Sequence, residues 1–216
     1  MLGELFFLIR SYLIFSSMTQ KLILSDLSII KDQLFKFVWT FKVGDNILYN
    51  FEILRELYNA KGISKKNTLN KPITITIVSI IEAILVDFIE RIGIATTHKP
   101  ANIDPSILIN LKKEIREDRV KKGNYYKRKL YGFKEIIKIL RKYELFGEKG
   151  DEIYVLLNIF SDMRNRVHIE NYYDLLEEDE INVFTPSRLS EIERVLYLLW
   201  NKMVSDYQRP WKNINN

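Results

Sequence analysis

PITITIVSIIEAILVDFIERIGI, residues 72–94, is the stretch on which the fold turns. Its opening alternates like a strand, with Ile73, Ile75 and Ile77 at every second position. From Ser79 onward the run is too long for a strand, and Ile81, Leu85, Phe88 and Ile92 recur at helical spacing. A single buried helix accounts for the whole, with Pro72 in its first turn, where a missing N–H does no harm. Asp87 and Arg91 sit four apart and can pair across one turn, worth only a few tenths of a kcal/mol. Glu82 stands among Val78, Leu85, Val86 and Ile89, a carboxylate in an apolar surround.

The second organising segment is GDEIYVLLNIFSDMRNRVHIEN, residues 150–171. Ile153, Leu156, Leu157, Phe160, Met163 and Val167 mark a helix from Glu152 to about Val167, with Asp151 as its N-cap. At roughly 100° per residue, Arg164 projects beside Ile153, Leu157 and Phe160, and His168 falls near the edge of the same stripe. A guanidinium is thus aimed at the side of the helix that packs, where it would be costly without a partner. Glu82 has two readings: a carboxylate at the margin of the core paired with any nearby base, or a buried counter-ion for Arg164 or Arg166.

The remaining elements arrange themselves around these two. Ser25-Asp26 caps a helix through IIKDQLFKFVWTF, with Ile30, Leu34, Phe37, Val38 and Phe41 on one side. Gly44-Asp45 breaks it, and Asn46 to about Ala60 forms a second helix. KGISKKNTLNK (residues 61–71) and IATTHKPANIDP (residues 94–105, holding His98) read as loops. Asp104-Pro105 opens a helix over SILINLKKEIRED, and another runs from about Phe133 to Phe146. An acidic knot at Glu177 to Glu180 precedes Thr185-Pro186, which caps the last long helix; Leu189, Ile192, Val195, Leu196, Leu199, Met203 and Tyr207 form its packing face. Six to eight helices, no strand and no internal repeat give an all-α, up-and-down helical bundle.

The first 17 residues, MLGELFFLIRSYLIFSS, are apolar but interrupted by Glu4 and Arg10. They fall short of the ~20 apolar residues that span a bilayer, so no stable membrane insertion is expected. They read as an amphipathic helix docked on the body, as an extension before a true start at Met18, or as a surface anchor. Residues 18–216 read as one helical domain. Among the 216 residues there is no Cys, which excludes thiolate chemistry and fits a cytoplasmic protein. Two His cannot build a His-rich metal site in one protomer, and no motif calls for a cofactor.

The formal charge is +5, and it is unevenly spread. Residues 112–142 hold thirteen Lys and Arg against four Asp and Glu. Lys121, Lys122, Lys127, Arg128 and Lys129, interleaved with Tyr125 and Tyr126, are what a groove for single-stranded RNA requires: cations for phosphates and rings for bases. Solvated faces of Lys-rich helices look the same.

The segment Met163-Arg164-Asn165-Arg166-Val167-His168, near the end of a late helix in an all-α bundle and preceded by a buried helix carrying Glu82, resembles the HEPN superfamily. Three residues separate Arg from His here; the family usually has four to six. The resemblance implies a HEPN-type bundle over about residues 72–209 with extra N-terminal helices, and a homodimer. It also implies a metal-independent endoribonuclease of phage defence or a toxin–antitoxin pair, restrained by a cognate antitoxin or other regulatory partner. Arg164 would be the family's Arg, Asn165 its following polar residue and His168 its His, with Glu82 and Arg166 in support. A neutral His suits proton transfer from a ribose 2′-OH near pH 7, and a fixed Arg suits the charge that builds on phosphoryl oxygens. Other members of the family are non-catalytic, so an RNA- or protein-binding dimerisation module is the alternative. On the residues alone, Arg164 paired to Glu82 and His168 bonded to a backbone carbonyl would make a purely structural network.

Overall fold

The computed structural model describes residues 22–64, 67–94, 103–117, 120–122, 125–127, 132–165 and 179–209. Helix α1 spans Leu27–Phe37 and α2 Phe41–Ser64; a 3₁₀ turn at Asn67–Leu69 leads into α3, Asn70–Ile94. Then follow α4 (Pro105–Glu117), strands β1 (Val120–Lys122) and β2 (Tyr125–Lys127), α5 (Phe133–Lys142), α6 (Glu152–Asn165), the single turn α7 (Glu180–Val183) and α8 (Pro186–Asp206). The body is an all-α helical bundle.

α3 is its axis, packing against α2, α4, α5, α6 and α8. The sequence explains this: Ile73, Ile77, Val78, Ile80, Ile81, Ile84, Leu85, Phe88, Ile89 and Ile92 are all buried over about half of the helix circumference, and the opposite half is partly covered, with no residue of 70–92 exposed. By length and composition residues 67–92 would cross a membrane, yet most of that run is enclosed by protein. The strand-like alternation at its start is a by-product of a run so rich in Ile.

α8 closes the other side, with all seven residues of its expected packing face buried and Thr185 Oγ1 accepting from the Arg188 N–H at 3.2 Å. Its Trp200 lies edge-on between Phe37 and Phe51, at 5.1 and 5.4 Å between ring centres, and donates Nε1–H to Gln33 at 2.7 Å. This one side chain seals α1, α2 and α8 together.

Residues 61–71, expected as a loop, are helical at 61–64 and 67–71, and two larger features depart from the sequence reading. The first two helices divide at 38–40, ahead of Gly44-Asp45, which lies inside α2. Phe41 is consequently exposed (70 %), although periodicity put it in the core. The break is placed by long-range partners. Asp87 of α3 accepts the N–H groups of Trp39 and Thr40 at 2.8 and 3.1 Å, just ahead of α2. Arg209 beyond α8 donates to the carbonyls of Phe35, Lys36 and Trp39 around the end of α1. Orphan donors and orphan acceptors at one corner are thus met by charges of opposite sign. Gly44 lets α2 approach α1 closely: a Cβ there would lie 3.1 Å from the Phe35 ring, which would have to shift by a few tenths of an ångström.

The second departure is the hairpin, where no strand was expected. β1 and β2 pair antiparallel, Val120 with Lys127, Lys121 with Tyr126 and Lys122 with Tyr125. Charge masked its alternation, but Tyr and Val favour an extended backbone and Gly123-Asn124 is a turn dipeptide.

Candidate functional site

Arg164 sits in the last turn of α6, one residue before the helix ends. Its Nε lies 2.7 Å from Glu82 Oε2 on α3, one of the pairings that the sequence left open for that carboxylate. The azimuth read from periodicity is right, since Leu157 and Phe160 beside it are fully buried. The depth differs: the Arg164 side chain is 44 % exposed, whereas Glu82 is only 17 % exposed. At the end of the helix the long stem follows the packing face and carries the guanidinium out to water. The desolvation problem therefore falls on the carboxylate. Burial raises the Glu82 pKa above its ordinary value, and the Arg164 charge pulls it back down. Placement in the last turn also suits a cation, because the helix dipole is negative there.

Asn165 ends α6 and is exposed. His168 and Arg166 lie outside the described residues, as do His98, Arg128, Lys129 and residues 1–21, with their apolar start and Met18. Of the expected RNA-binding residues, Lys121, Lys122, Tyr125, Tyr126 and Lys127 are brought together on the hairpin by its register. The structure thus joins Arg164 to Glu82 and sets Lys121, Lys122, Tyr125, Tyr126 and Lys127 along the backbone of one hairpin.

Periodicity missed two buried polar clusters. Asp87 and Arg91 are 2 % and 3 % exposed. Asp87 turns to the corner between α1 and α2, while Arg91 donates Nη1 to the Tyr207 carbonyl at 2.9 Å and lies over the Phe88 ring. Burial pushes the Arg91 guanidinium down to about 10, against the pull of Asp87, so it remains a cation at neutral pH. Their i,i+4 spacing was visible, but nothing in it told how deep the pair lies.

The second cluster joins α2, α3 and α8. Tyr58 donates its hydroxyl to Glu193, a carboxylate 1 % exposed. Burial, with the Glu193 charge beside it, raises the Tyr58 pKa well above the usual phenol range. Lys61 donates to Asn70 Oδ1 at 2.6 Å, and Asn70 donates to the Phe184 carbonyl at 3.0 Å, tying the turn after α7 to the start of α3. Its signal was present: Leu189, Glu193, Leu196 and Trp200 follow at i, i+4, i+7 and i+11 on one packing face.

A half-open pocket of about 350 Å³ is lined by Phe146, Ile153, Leu156, Val195 and Leu198, with Arg194 bridging to Glu152 at 3.0 Å. It borders the N-terminal end of α6, about 18 Å along the helix from Arg164, so it is not part of the Arg164 site. Among the described residues no group of three or more His, Asp and Glu is arranged to hold a metal ion. No family model, no curated protein and no solved structure matches this chain.

Proposed function

We infer that the chain is a cytoplasmic, metal-independent endoribonuclease of HEPN type, acting as a homodimer in phage defence or a toxin–antitoxin pair. The observation that carries this reading is the Glu82–Arg164 pair. It fixes an arginine at the exposed end of a helix, four residues before the only His of that segment. With Nε held by Glu82, the η nitrogens remain to receive a phosphate in fork geometry.

In this mechanism neutral His168 takes the proton of a ribose 2′-OH. The 2′ oxygen attacks the adjacent phosphorus, the bond from phosphorus to the 5′ oxygen breaks, and the partner's His168 protonates the leaving oxygen. Arg164 meets the charge that accumulates on the phosphoryl oxygens, and Asn165 orients the phosphate. The products are a 2′,3′-cyclic phosphate and a 5′-hydroxyl.

The test is cleavage of a labelled RNA in EDTA, with end-group analysis. His168→Ala is expected to lower the rate about 10²–10⁴-fold. Cleavage that requires a divalent ion, or that survives His168→Ala undiminished, overturns the reading. The same ion pair also favours a second reading, a non-catalytic RNA- or protein-binding module, because pairing with Glu82 gives Arg164 a structural task. There His168→Ala leaves RNA binding intact, and charge reversal of Lys127, Arg128 and Lys129 abolishes it.

A further inference from the structure

The half-open pocket between α6 and α8 has an apolar lining and two charged walls of opposite sign. Phe146, Leu156 and Val195 are buried in it, and Ile153 and Leu198 are only partly covered. The acids come from one side, Asp151 and Glu152 at the start of α6. The bases come from the other: Arg194 and Lys202 are about two turns apart on α8, with Leu198 midway. A volume of about 350 Å³ is at the low end for small-molecule sites, which run from about 300 to 1,000 Å³. That favours a ligand of few atoms.

The apolar part is fixed before anything binds. Phe146 donates its N–H to the Tyr154 hydroxyl at 3.1 Å, and its ring packs against Phe88 and Tyr207 at 5.8 and 5.7 Å between centres. The charged walls are held more loosely. Glu152 meets Arg194 at 3.0 Å and Lys202 meets Asp206 at 2.5 Å, and all four side chains are open to water in part. Ion pairs this wet are weak, so a ligand that brings charges of both signs replaces them at small cost. A ligand of one charge would take one member of a pair and leave the other unmet.

We propose that this pocket binds a zwitterionic α-amino acid with an apolar side chain, aliphatic or aromatic. Arg194 takes the carboxylate, because its planar fork matches two oxygens. Glu152 takes the ammonium, and Asp151, next to it in the chain, adds to the same wall. The ligand's side chain covers Ile153 and Leu198, the apolar surface that the protein leaves partly open. The pocket lies about 18 Å along α6 from Arg164, so this site stands or falls independently of the ribonuclease reading.

The experiment titrates the full chain with L-leucine and L-phenylalanine, read by calorimetry and by thermal shift. At least one of the two is expected to bind with a Kd of about 0.1–1 mM. Three analogues separate the contacts: 4-methylpentanoate lacks leucine's ammonium, 3-methylbutylamine lacks its carboxylate, and glycine lacks its side chain. Each is expected to bind at least about tenfold more weakly than leucine. Leu198→Trp puts a ring into the pocket mouth and is expected to abolish binding. Arg194→Gln is expected to weaken leucine about tenfold while leaving 3-methylbutylamine no weaker. Circular dichroism checks that both variants keep their helices, and Arg194→Gln decides the matter if Leu198→Trp does not fold. No binding of either amino acid at millimolar concentration would overturn the assignment. So would 4-methylpentanoate binding as tightly as leucine, which would make this a site for apolar anions, or leucine binding unchanged in Arg194→Gln.

Discussion

Replacing Asp87 with alanine tests a buried carboxylate that holds the joint between two helices. Asp87 is 2 % exposed and accepts two backbone N–H groups at the α1–α2 corner. Trp39 and Thr40 lie near the surface, so water can take over part of their hydrogen bonding, and that loss is about 1 kcal/mol for each. Arg91 has no such recourse. At 3 % exposure it would keep one bond to the Tyr207 carbonyl and lose the carboxylate that balances its charge. The two side chains share no ion-pair contact, so Asp87 acts on Arg91 through space; that loss together with the two N–H bonds destabilises by about 3–5 kcal/mol. Against a total stability of about 5–15 kcal/mol, that is a large fraction. For a chain of this size it lowers Tm by about 6–20 °C.

The assay is urea unfolding followed by circular dichroism for Asp87→Ala, Arg91→Met and the double variant. Because most of the loss comes from an unbalanced cation, the double variant is expected to be more stable than Asp87→Ala alone, and the cycle to show coupling of at least about 1 kcal/mol. Additive effects, or an Asp87→Ala change below about 1 kcal/mol, would refute the reasoning.

Other consequences are nearer to hand. Tyr58→Phe removes a donor from the buried Glu193 carboxylate and is expected to destabilise by about 1–3 kcal/mol in the same urea assay; a neutral result would mean that Glu193 does not depend on this bond. Gly147 has φ of 139°, and a Cβ there would fall 1.8 Å from Asp151 Oδ2. Gly147→Ala should therefore lose about 1–3 kcal/mol, and Asp151→Ala should restore only part, because the backbone strain remains; full restoration would show that strain to be negligible. Glu82 gives a pH signature. Its folded pKa lies above the ordinary 4.5, so its contribution to stability is fully present below 4.5 and is lost as pH rises through the folded value. Relative to Glu82→Gln, the wild type should lose urea stability over that window; a relative gain would mean that Arg164 outweighs burial.

The legible parts of the fold were those in which periodicity and burial coincide. α3 could be read as a helix because Ile81, Leu85, Phe88 and Ile92 keep helical spacing for longer than any strand. α8 could be read down to its Thr185 cap. The Glu82–Arg164 pair was legible because two charges on apolar stripes have few ways to be satisfied. Depth was not legible, since spacing gives an angle around a helix and nothing about distance from its end. Arg164 was therefore drawn too deep, and Asp87 with Arg91 was valued as a surface pair. The α1–α2 break was also hidden, because it is set by Asp87 and Arg209, 47 and 170 residues from their partners at Thr40 and Trp39. Gly44 looked like a helix breaker for a related reason: the Phe35 ring that packs closely against it belongs to a different helix.

Arg209 also gives the bundle a schedule. During synthesis the first three helices leave the ribosome long before residue 209 exists, so the carbonyls of Phe35, Lys36 and Trp39 meet only water until that residue has been added and has emerged. Until then Asp87 alone fastens that joint, and the N-terminal helix pair waits for its second tether. A ribosome stalled just short of that codon would still enclose the last helix, so Trp200 and Arg209 would both be missing from that corner and its first hinge would still swing.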